Sequence, residues 1–243
     1  QLKHLMTKNI KITLGLIYLL CLSLLLYGFF IFVDVTQLND YSYIRDKTQF
    51  LIDIRDQNQI LFPFLFFLFS IIWILLLGFA TPLALVAGFL FGKIAGTIIS
   101  VIGFTIGCTV LYIFANQYFK DLIMEKLSKR ISKFKHMFNK NEFFYFMIFR
   151  FAGCGGTPFA IQNLLPVLFN MKIKNYFFST LCGLFPTVFI LSAIGEGVEK
   201  IIENDIDPSF VDMIQKKDIL FPMLGFFAII IITYILRKIY FKK

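Results

Sequence analysis

The sequence predicts an all-α polytopic membrane protein built as an inverted repeat. Two re-entrant hairpins are each followed by a transmembrane helix, and N- and C-terminal spanning helices flank them. Of the 243 residues, 58% are hydrophobic and only 16% are charged, with a mean hydropathy of +0.77, whereas a soluble domain has roughly a quarter of its residues charged. Uncharged runs of about 20 residues recur, and a bilayer solvates such runs. These features exclude a soluble enzyme, a secreted disulfide scaffold, a disordered protein and a nucleic-acid-binding domain.

The charged residues indicate how the chain is oriented. The net charge of +9 arises from lysines and arginines in short loops beside apolar segments. Residues 120–142 hold seven basic and three acidic residues, whereas 34–59 hold three and five, and 196–218 hold three and seven. Basic loops favour the cytoplasm. We therefore expect the N-terminus, 120–142, 172–174 and the C-terminal tail inside, with the two acidic segments outside.

The regions before and after the central part of the chain each carry one predicted span. An apolar run from about 12 to 33 is too long for a typical signal-peptide core and lacks a small-residue cleavage site, so we interpret it as a retained signal-anchor span. This anchor and the external polar segment after it form a predicted N-terminal region, 1–59. We expect the membrane domain over 60–200. Residues 201–243 hold the end of the external acidic loop, a last span over about 219–236 and a basic cytoplasmic tail.

Charge and sequence together predict the first hairpin. The stretch 60–119 has one charged residue, Lys93, and must cross the membrane an odd number of times to connect an outside loop with an inside loop. A break at Gly78–Pro82 interrupts it, so we interpret 61–92 as a hairpin that enters and leaves on the same side. A full span follows over 94–119.

The second hairpin follows from the same argument. Residues 143–169 must start and end inside, although they are long enough to span. Their middle, 153–158, reads Gly-Cys-Gly-Gly-Thr-Pro, which a continuous helix tolerates badly. Another span follows over 173–195, and interrupted apolar segments at corresponding positions outline an inverted repeat. The alternative is that each break is a kink in an ordinary spanning helix.

Arg150 is the main candidate for a residue on a substrate path. It lies within the apolar part of the second hairpin, where a charge is costly, so we expect it to face a partner or a wet cavity. Its guanidinium is always protonated and its planar donors suit phosphate, which makes a lipid headgroup a candidate ligand. Gln162 and Asn163 would line the same cavity or satisfy backbone groups freed by the break. The alternative for Arg150 is snorkelling to the cytoplasmic interface.

Two further patterns indicate packing and membrane contact. Gly96, Gly103 and Gly107 fall on one helical face, and such small-residue stripes let neighbouring backbones approach closely. Residues 120–138 place apolar side chains at helical spacing among lysines, which predicts an amphipathic helix on the anionic inner leaflet. A solvated connector is the alternative.

The sequence gives little support for catalysis or metal binding. His4 and His136 lie outside the apolar segments, and no His-Glu-x-x-His, Gly-x-Ser-x-Gly or intramembrane aspartate pair occurs. The four cysteines lie in apolar stretches without the spacing of a metal or redox motif. We therefore expect no enzymatic activity, no cofactor and no metal.

One ordered set of residues resembles a known family. The pattern is Pro82-x5-Gly88-Phe-Leu-Phe-Gly92, then Arg150-Phe151-x6-Pro158-Phe159-x3-Asn163, then Gly183-x2-Pro186. Over roughly residues 60–200 it is similar to the DedA superfamily, in particular its VTT-domain branch, once labelled SNARE-associated Golgi proteins. The resemblance implies two opposed re-entrant hairpins. The residues expected to shape them are Pro82, Gly88, Gly92, Gly153, Gly155, Gly156, Pro158, Phe159, Gly183 and Pro186.

The resemblance also implies a role in moving lipids across the bilayer. Eukaryotic relatives are phospholipid scramblases, and bacterial relatives are linked to the recycling of undecaprenyl phosphate and other lipids. The family arginine of the second hairpin corresponds to Arg150, and the family asparagine to Asn163. Two features depart from the family pattern. Members often have a proline soon after the arginine, where this chain has Gly153 to Gly155, and no acidic residue of the proton-linked branch lies near Pro82.

We expect a lipid translocase of the scramblase or flippase type in a bacterial inner membrane, with both termini in the cytoplasm. It would move phospholipid or polyprenyl-phosphate headgroups between facing hairpins. The expected partners are membrane lipids with anionic headgroups and not nucleic acid, with homo-oligomerisation left open. The alternatives are a structural or assembly protein without transport activity, and a small-solute transporter. The spans lack the acidic residues that coupling ions usually need, which disfavours the last alternative.

Overall fold

A computed structural model describes residues 41–76, 78–121, 141–152, 159–204 and 216–241, together with scattered positions between 13 and 34. Helices hold almost all of these residues, and no strand occurs among them. The all-α class predicted from the sequence is therefore confirmed. In chain order the helices are α1 (Tyr41–Gln57), α2 (Leu61–Leu75), α3 (Ala80–Tyr118), α4 (Glu142–Ala152), α5 (Phe159–Leu164), a 3₁₀ helix (Leu165–Phe169), α6 (Ile173–Asn204) and α7 (Lys217–Phe241).

The described helices include two that are long and apolar enough to cross a membrane. They are Ala80–Tyr118 and Ile173–Ile202. A third arises if the broken helix pair Arg45–Gln57 and Leu61–Leu75 forms one span. The predicted last span, 219–236, lies within α7, which is not among these candidates. Most of the predicted first span lies outside the described residues.

The chain divides into two compact units, Gln1–Asp53 and Ile54–Lys243. In the first unit, the backbone N–H of Asp34 donates a hydrogen bond to the Tyr43 hydroxyl at 2.7 Å. Gln49 donates from Nε2 to Asp53 Oδ1 at 3.0 Å, one turn along α1. The second unit contains α2 to α7 and all the residues of the candidate site.

A sharp turn at Gly92 divides α3 into a short arm, residues 80–91, and a long arm, residues 93–118. Gly92 has φ 75° and ψ 169°, a backbone conformation that is essentially restricted to glycine. A Cβ atom on Gly96 would lie 2.5 Å from the carbonyl oxygen of Ala87. Nine residues of straight helix span about 13.5 Å, so the two arms must fold back against each other.

The predicted break before this helix is also present. α2 ends at Leu75, and α3 begins at Ala80 after Phe79 in an extended conformation. Pro82 lies in the first turn of α3, where its missing N–H costs no helical hydrogen bond. The predicted hairpin segment 61–92 therefore comprises α2 and the short arm of α3.

α2 packs along the long arm of α3, and the two helices run in the same direction. A side chain on Gly103 would overlap the hydroxyl of Ser70, and a Cβ atom on Gly107 would lie 2.9 Å from Cβ of Ile74. Residue numbers rise together along the two helices, so they are parallel. Glycine at both positions lets the α2 backbone approach closely.

α4 and α6 are parallel in the same way. Near the start of both helices, Asn175 donates from Nδ2 to Glu142 Oε1 at 2.6 Å. Further along, a Cβ atom on Gly183 would lie 2.6 Å from Cβ of Arg150. α5, the 3₁₀ helix and Asn170, which has a left-handed φ of 53°, lead the chain into α6.

The long arm of α3 and α6 run in opposite directions. At one end the backbone N–H of Lys93 donates to Glu196 Oε2 at 2.7 Å. Towards the other end the rings of Tyr112 and Tyr176 stack with their centroids 4.5 Å apart. As numbers rise along one helix they fall along the other, so the pair is antiparallel. The short arm of α3 also packs on α6, because a Cβ atom on Gly88 would overlap the backbone of that helix.

α6 is longer than the sequence predicted. The span was expected over 173–195 with an acidic loop after it, but α6 continues to Asn204 and places Glu196 and Glu199 on a helix. The reason is that both carboxylates have cationic partners: Glu199 Oε1 lies 2.7 Å from Nη1 of Arg55, and Glu196 Oε1 lies 2.7 Å from Nζ of Lys200. The predicted break at 153–158 and nearly all of the predicted amphipathic helix at 120–138 lie outside the described residues.

Candidate functional site

Arg150 is buried near the end of α4, with only 1% of its surface exposed. Its Nη2 donates a hydrogen bond to the hydroxyl of Tyr176 on α6 at 2.8 Å. This partner lies 26 residues further along the chain, and the parallel packing of α4 and α6 brings the two together. The structure therefore places Arg150 between helices and not at an exposed interface.

Aromatic rings enclose the guanidinium of Arg150. Its Cζ lies 5.0 Å from the ring centroid of Phe146, 5.5 Å from that of Tyr176 and 5.6 Å from that of Phe159. Cations within about 6 Å of an aromatic centroid are attracted by the ring quadrupole. Phe146 lies one turn before Arg150 on the same helix, whereas Phe159 comes from α5. Three helices thus contribute to this enclosure.

Most of the hydrogen-bonding capacity of Arg150 is unused. Its Nε and Nη1 atoms are buried and have no hydrogen-bond partner among the described residues. No carboxylate in that part of the chain forms an ion pair with it. A buried charge without a counterion is strongly unfavourable, and an unmade hydrogen bond to a charged group adds to the cost. The arrangement is suited to receiving an anion.

Asn163 is a second buried polar residue with unused hydrogen-bonding groups. It is 0% exposed, and neither its Nδ2 nor its Oδ1 has a partner among the described residues. Gln162 beside it is also buried. Both lie on α5, the helix whose first residue, Phe159, packs on the Arg150 guanidinium. Of the sequence candidates, Arg150 and Phe159 are therefore in contact, and Asn163 lies one turn further along α5.

Tyr112 and Tyr176 are site residues that sequence reasoning missed. The Tyr112 hydroxyl donates to the backbone oxygen of Met171 at 2.6 Å, and its ring stacks on that of Tyr176. Tyr176 in turn stacks on Phe146, with centroids 5.2 Å apart. These contacts fix the tyrosine that holds Arg150. Each tyrosine places a hydroxyl in an apolar span, and a buried tyrosine hydroxyl usually has a hydrogen-bond partner. That pattern could have identified both residues from the sequence.

Small polar side chains share helical faces with the two tyrosines. Thr105 and Cys108 precede Tyr112 by two turns and one turn on the long arm of α3, and Thr180 follows Tyr176 by one turn on α6. The hydroxyl oxygens of both threonines are buried and have no partner among the described residues. The Cys108 thiol interacts electrostatically with Arg150. The faces of the long arm and α6 that meet at the tyrosines are therefore more polar than their overall composition indicates.

The described residues predicted to shape the hairpins have different roles. Gly183 allows α4 to lie against α6 at Arg150, and Gly92 forms the turn of α3. Gly88 packs against the backbone of α6. Pro186 lies inside α6, which remains helical around it. Pro82 lies in the first turn of α3, and Phe159 begins α5. Four of the predicted residues lie outside the described part of the chain: Gly153, Gly155, Gly156 and Pro158.

The described residues contain no group of three or more His, Cys, Asp or Glu side chains that could hold a metal ion. The buried polar groups around α4, α5 and α6 include a guanidinium, two amides and several hydroxyls, which are suited to hydrogen bonding. The donors among these groups suit an acceptor-rich, negatively charged group.

A comparison with protein families matches residues 79–197 to the VTT domain. The matched region begins just before α3 and ends within α6, so it contains the long arm of α3, α4, α5 and the Arg150 site. The resemblance inferred from the sequence is confirmed. No solved structure matches the chain.

Proposed function

Because the chain carries a VTT domain, the domain of the DedA/SNARE-associated Golgi protein family, we propose that it is a membrane lipid translocase. It moves the headgroup of a phospholipid or a polyprenyl phosphate across the bilayer while the hydrocarbon tails stay in the membrane. The observation that supports this most is the buried Arg150, whose Nε and Nη1 atoms lack protein acceptors in the described part of the chain. A phosphate supplies those acceptors and the missing negative charge.

The proposed recognition uses one edge of the guanidinium for the protein and another for the substrate. Nη2 is held by Tyr176 at 2.8 Å, which fixes the plane of the guanidinium. Nη2 carries a second N–H, and this N–H together with that of Nη1 or of Nε forms the parallel pair of donors that binds a phosphate in a bidentate manner. We propose that Asn163, whose Nδ2 and Oδ1 have no partner among the described residues, binds the hydroxyl or phosphate groups of the same headgroup.

The proposed path needs a second conformation. Arg150 is 1% exposed beneath the rings of Phe146, Tyr176 and Phe159, so the described arrangement is occluded. Movement of α5, which carries Phe159 and Asn163, would open the side of the guanidinium that Phe159 covers. The rings of Phe146 and Tyr176 and the Arg150–Tyr176 hydrogen bond, which lie on α4 and α6, would stay in place. We therefore assign α5 as the gating element of the translocase.

We also propose that the two halves of the domain are inverted repeats with opposed re-entrant hairpins. In support, α2 is parallel to the long arm of α3 and α4 is parallel to α6, whereas the long arm and α6 are antiparallel. The described residues with a positive φ are Gly92 and Asn170, and each precedes the long helix of its half. Non-helical backbone at membrane depth survives where protein or water surrounds it, as between two facing hairpins.

The apolar helices and the VTT domain fit a membrane protein. We propose a bacterial inner membrane, both termini in the cytoplasm and membrane lipids with anionic headgroups as partners. The basic and acidic loops support this orientation through the preference of basic segments for the cytoplasm. We propose transport without catalysis or a cofactor.

The burial of Arg150 also favours a second candidate function. A guanidinium enclosed by three rings and one tyrosine hydroxyl is the arrangement expected of a residue that holds helices together. In this alternative the protein is a structural or assembly component of the membrane and moves no lipid. A small-solute transporter is the third possibility, and solute uptake without lipid movement would identify it.

The proposal is tested by reconstituting the full chain into vesicles and measuring transbilayer movement of a panel of labelled lipids, including a polyprenyl phosphate. The wild-type protein is expected to accelerate movement of at least one phosphate-bearing lipid, and Arg150→Ala is expected to abolish it. Arg45→Ala, at an exposed arginine of α1, is the matched control and should transfer at the wild-type rate. A wild-type protein that moves no lipid, or a folded Arg150→Ala variant with wild-type rates, would overturn the proposal.

A further inference from the structure

A groove of about 400 Å³ lies between α6 and α7. Its floor is apolar, with Phe189 and Ile190 from α6 and Phe221 and Gly225 from α7. Its volume falls in the range of small-molecule binding sites, which is about 300 to 1,000 Å³. None of the residues that line the groove is among those that contact Arg150, namely Phe146, Phe159, Tyr176 and Gly183. Its charged rim, at Glu196, lies about 20 Å along α6 from Gly183, at 1.5 Å per residue.

The rim of the groove is charged and carries more positive than negative groups. Lys93, Lys200 and Lys217 contribute the cations, and Glu196 and Asp218 contribute the carboxylates. Lys217 is the first residue of α7, where the helix N-terminus adds a partial positive charge. The rim therefore favours an anionic group over a cationic one.

Glu196 does not neutralise the rim. Its Oε2 accepts the backbone N–H of Lys93 at 2.7 Å, and its Oε1 lies 2.7 Å from Nζ of Lys200 and 3.8 Å from Nζ of Lys93. Both lysine side chains remain about half exposed, at 47% and 46%. Lys217 has no hydrogen-bond or ion-pair partner among the described residues. The rim thus keeps accessible ammonium groups.

The apolar floor adjoins a surface that is itself apolar. Phe221 is 64% exposed and Phe189 is 37% exposed, and in a membrane protein such side chains contact lipid. Gly225 leaves space beside Ile190, because a Cβ atom there would be 3.4 Å from Cδ1 of that residue. A free phosphate would use the rim only. A molecule with a phosphate and an acyl chain would use both the rim and the floor.

We propose that this groove binds a phospholipid, with its phosphate at Lys93, Lys200 and Lys217 and an acyl chain along Phe189, Ile190 and Phe221. The site is additional to the Arg150 site and does not depend on translocation. It holds a lipid at the edge of the domain, where α7 and α6 meet. The charge on the rim and the apolar floor select a phosphate-bearing lipid over an uncharged one.

The test uses the full chain in phosphatidylcholine vesicles that contain a phosphatidylglycerol with a photoreactive group on one acyl chain. Mass spectrometry of the labelled protein is expected to find cross-links in the segments that contain Phe189 and Phe221. Lys217→Gln is expected to reduce this labelling about fivefold, since one lysine near an anionic lipid surface is worth about 1 kcal/mol. Lys216→Gln makes the same charge change outside the groove and should leave labelling unchanged. Gly225→Leu is expected to reduce labelling by filling the floor.

Two further arms distinguish the source of the phosphate. A diacylglycerol carrying the same photoreactive chain should label these segments weakly, and excess inorganic phosphate should not displace the phospholipid probe. Equal labelling by the diacylglycerol, displacement by inorganic phosphate, or equal losses for Lys217→Gln and Lys216→Gln would overturn the proposal. Labelling is measured whether or not the protein moves lipid, so its outcome is separate from that of the transport assay.

Discussion

The hydroxyl of Tyr176 accepts a hydrogen bond from Nη2 of Arg150 at 2.8 Å, and this contact joins α4 to α6 inside the domain. Tyr176 is itself held by ring stacking on Tyr112 and Phe146, so the position of the guanidinium is set by three helices. The hydrogen bond leaves the other edge of the guanidinium available to a ligand. The same tyrosine thus contributes to stability and orients the candidate site.

Tyr176→Phe tests both contributions. The substitution retains the aromatic ring and removes the hydroxyl that Arg150 uses, so one more donor of a buried charge lacks an acceptor. We expect the free energy of unfolding to fall by about 1 to 3 kcal/mol and lipid transfer to slow. Chemical denaturation and the vesicle assay measure the two effects.

The control for this substitution is Tyr234→Phe, at a tyrosine that is 66% exposed on α7. It makes the same chemical change where the hydroxyl is accessible to its surroundings, and it should alter neither quantity. If Tyr176→Phe has wild-type stability and wild-type transfer, the hydroxyl does not position Arg150.

Gly92→Ala tests the turn that divides α3. A side chain at position 92 would not clash with its neighbours, because the nearest heavy atom to an added Cβ would be Oε2 of Glu196 at 3.8 Å. The substitution is instead expected to strain the backbone, since φ 75° with ψ 169° is unfavourable for any residue with a side chain. We expect a loss of about 1 to 3 kcal/mol of stability, measured by denaturation of the purified protein.

Gly225→Ala is the matched control for the Gly92 substitution. It adds the same methyl group at a glycine without a positive φ, where the nearest side-chain atom would be 3.4 Å away. A Gly92→Ala variant that is no less stable than Gly225→Ala would show that α3 does not need this turn.

Gly183→Val tests the close packing that places Arg150. Its Cβ would lie 2.6 Å from Cβ of Arg150 and 2.8 Å from the backbone oxygen of Met147, so α4 must move away from α6. Overpacking of this kind typically costs about 1 to 3 kcal/mol, and the displaced Arg150 should lose its contact with Tyr176. We expect lower stability together with loss of lipid transfer. A stable Gly183→Val variant that transfers lipid normally would contradict this packing.

The order of helices and breaks was largely predictable from local sequence. The break after α2 was found from Gly78 and Pro82, because these residue types interrupt helices wherever they occur. The hairpin predicted over 61–92 ends at Gly92, where the structure has the sharp turn of α3. Only the three-dimensional packing of Gly96 on Ala87 shows that the two arms fold back against each other there. The length of α6 was underestimated, because acidic residues at 196 and 199 suggested a loop. Glu196 has a nearby cationic partner in Lys200, one turn along the helix, but it also accepts the backbone N–H of Lys93, and Glu199 pairs with Arg55. Lys93 and Arg55 both lie more than 100 residues away in the chain.

The candidate site was predictable in part. Arg150 is a charged residue in an apolar segment, so it can be identified as a candidate site residue from the sequence alone, without knowing which residues surround it. Its hydrogen-bond partner, Tyr176, could not be identified in advance, because hydropathy patterns do not reveal which faces of two helices meet. The same limit applies to the stacking of Tyr112 on Tyr176, which depends on the antiparallel packing of the long arm of α3 against α6.

Cysteine accessibility tests the membrane orientation of the antiparallel helix pair. The end with Glu196 and Lys217 lies in an acidic region expected outside, and the end with Lys172, next to Glu142, lies in a basic region expected inside. In a background with the native cysteines replaced, a membrane-impermeant maleimide should label Lys217→Cys in intact cells. It should label Lys172→Cys, which is also at an exposed position, only after the membrane is permeabilised. Both variants should react equally in detergent, which controls for intrinsic reactivity. Labelling of Lys172→Cys in intact cells, with Lys217→Cys protected, would reverse the orientation. Labelling of both from one side would show that α6 does not cross the membrane.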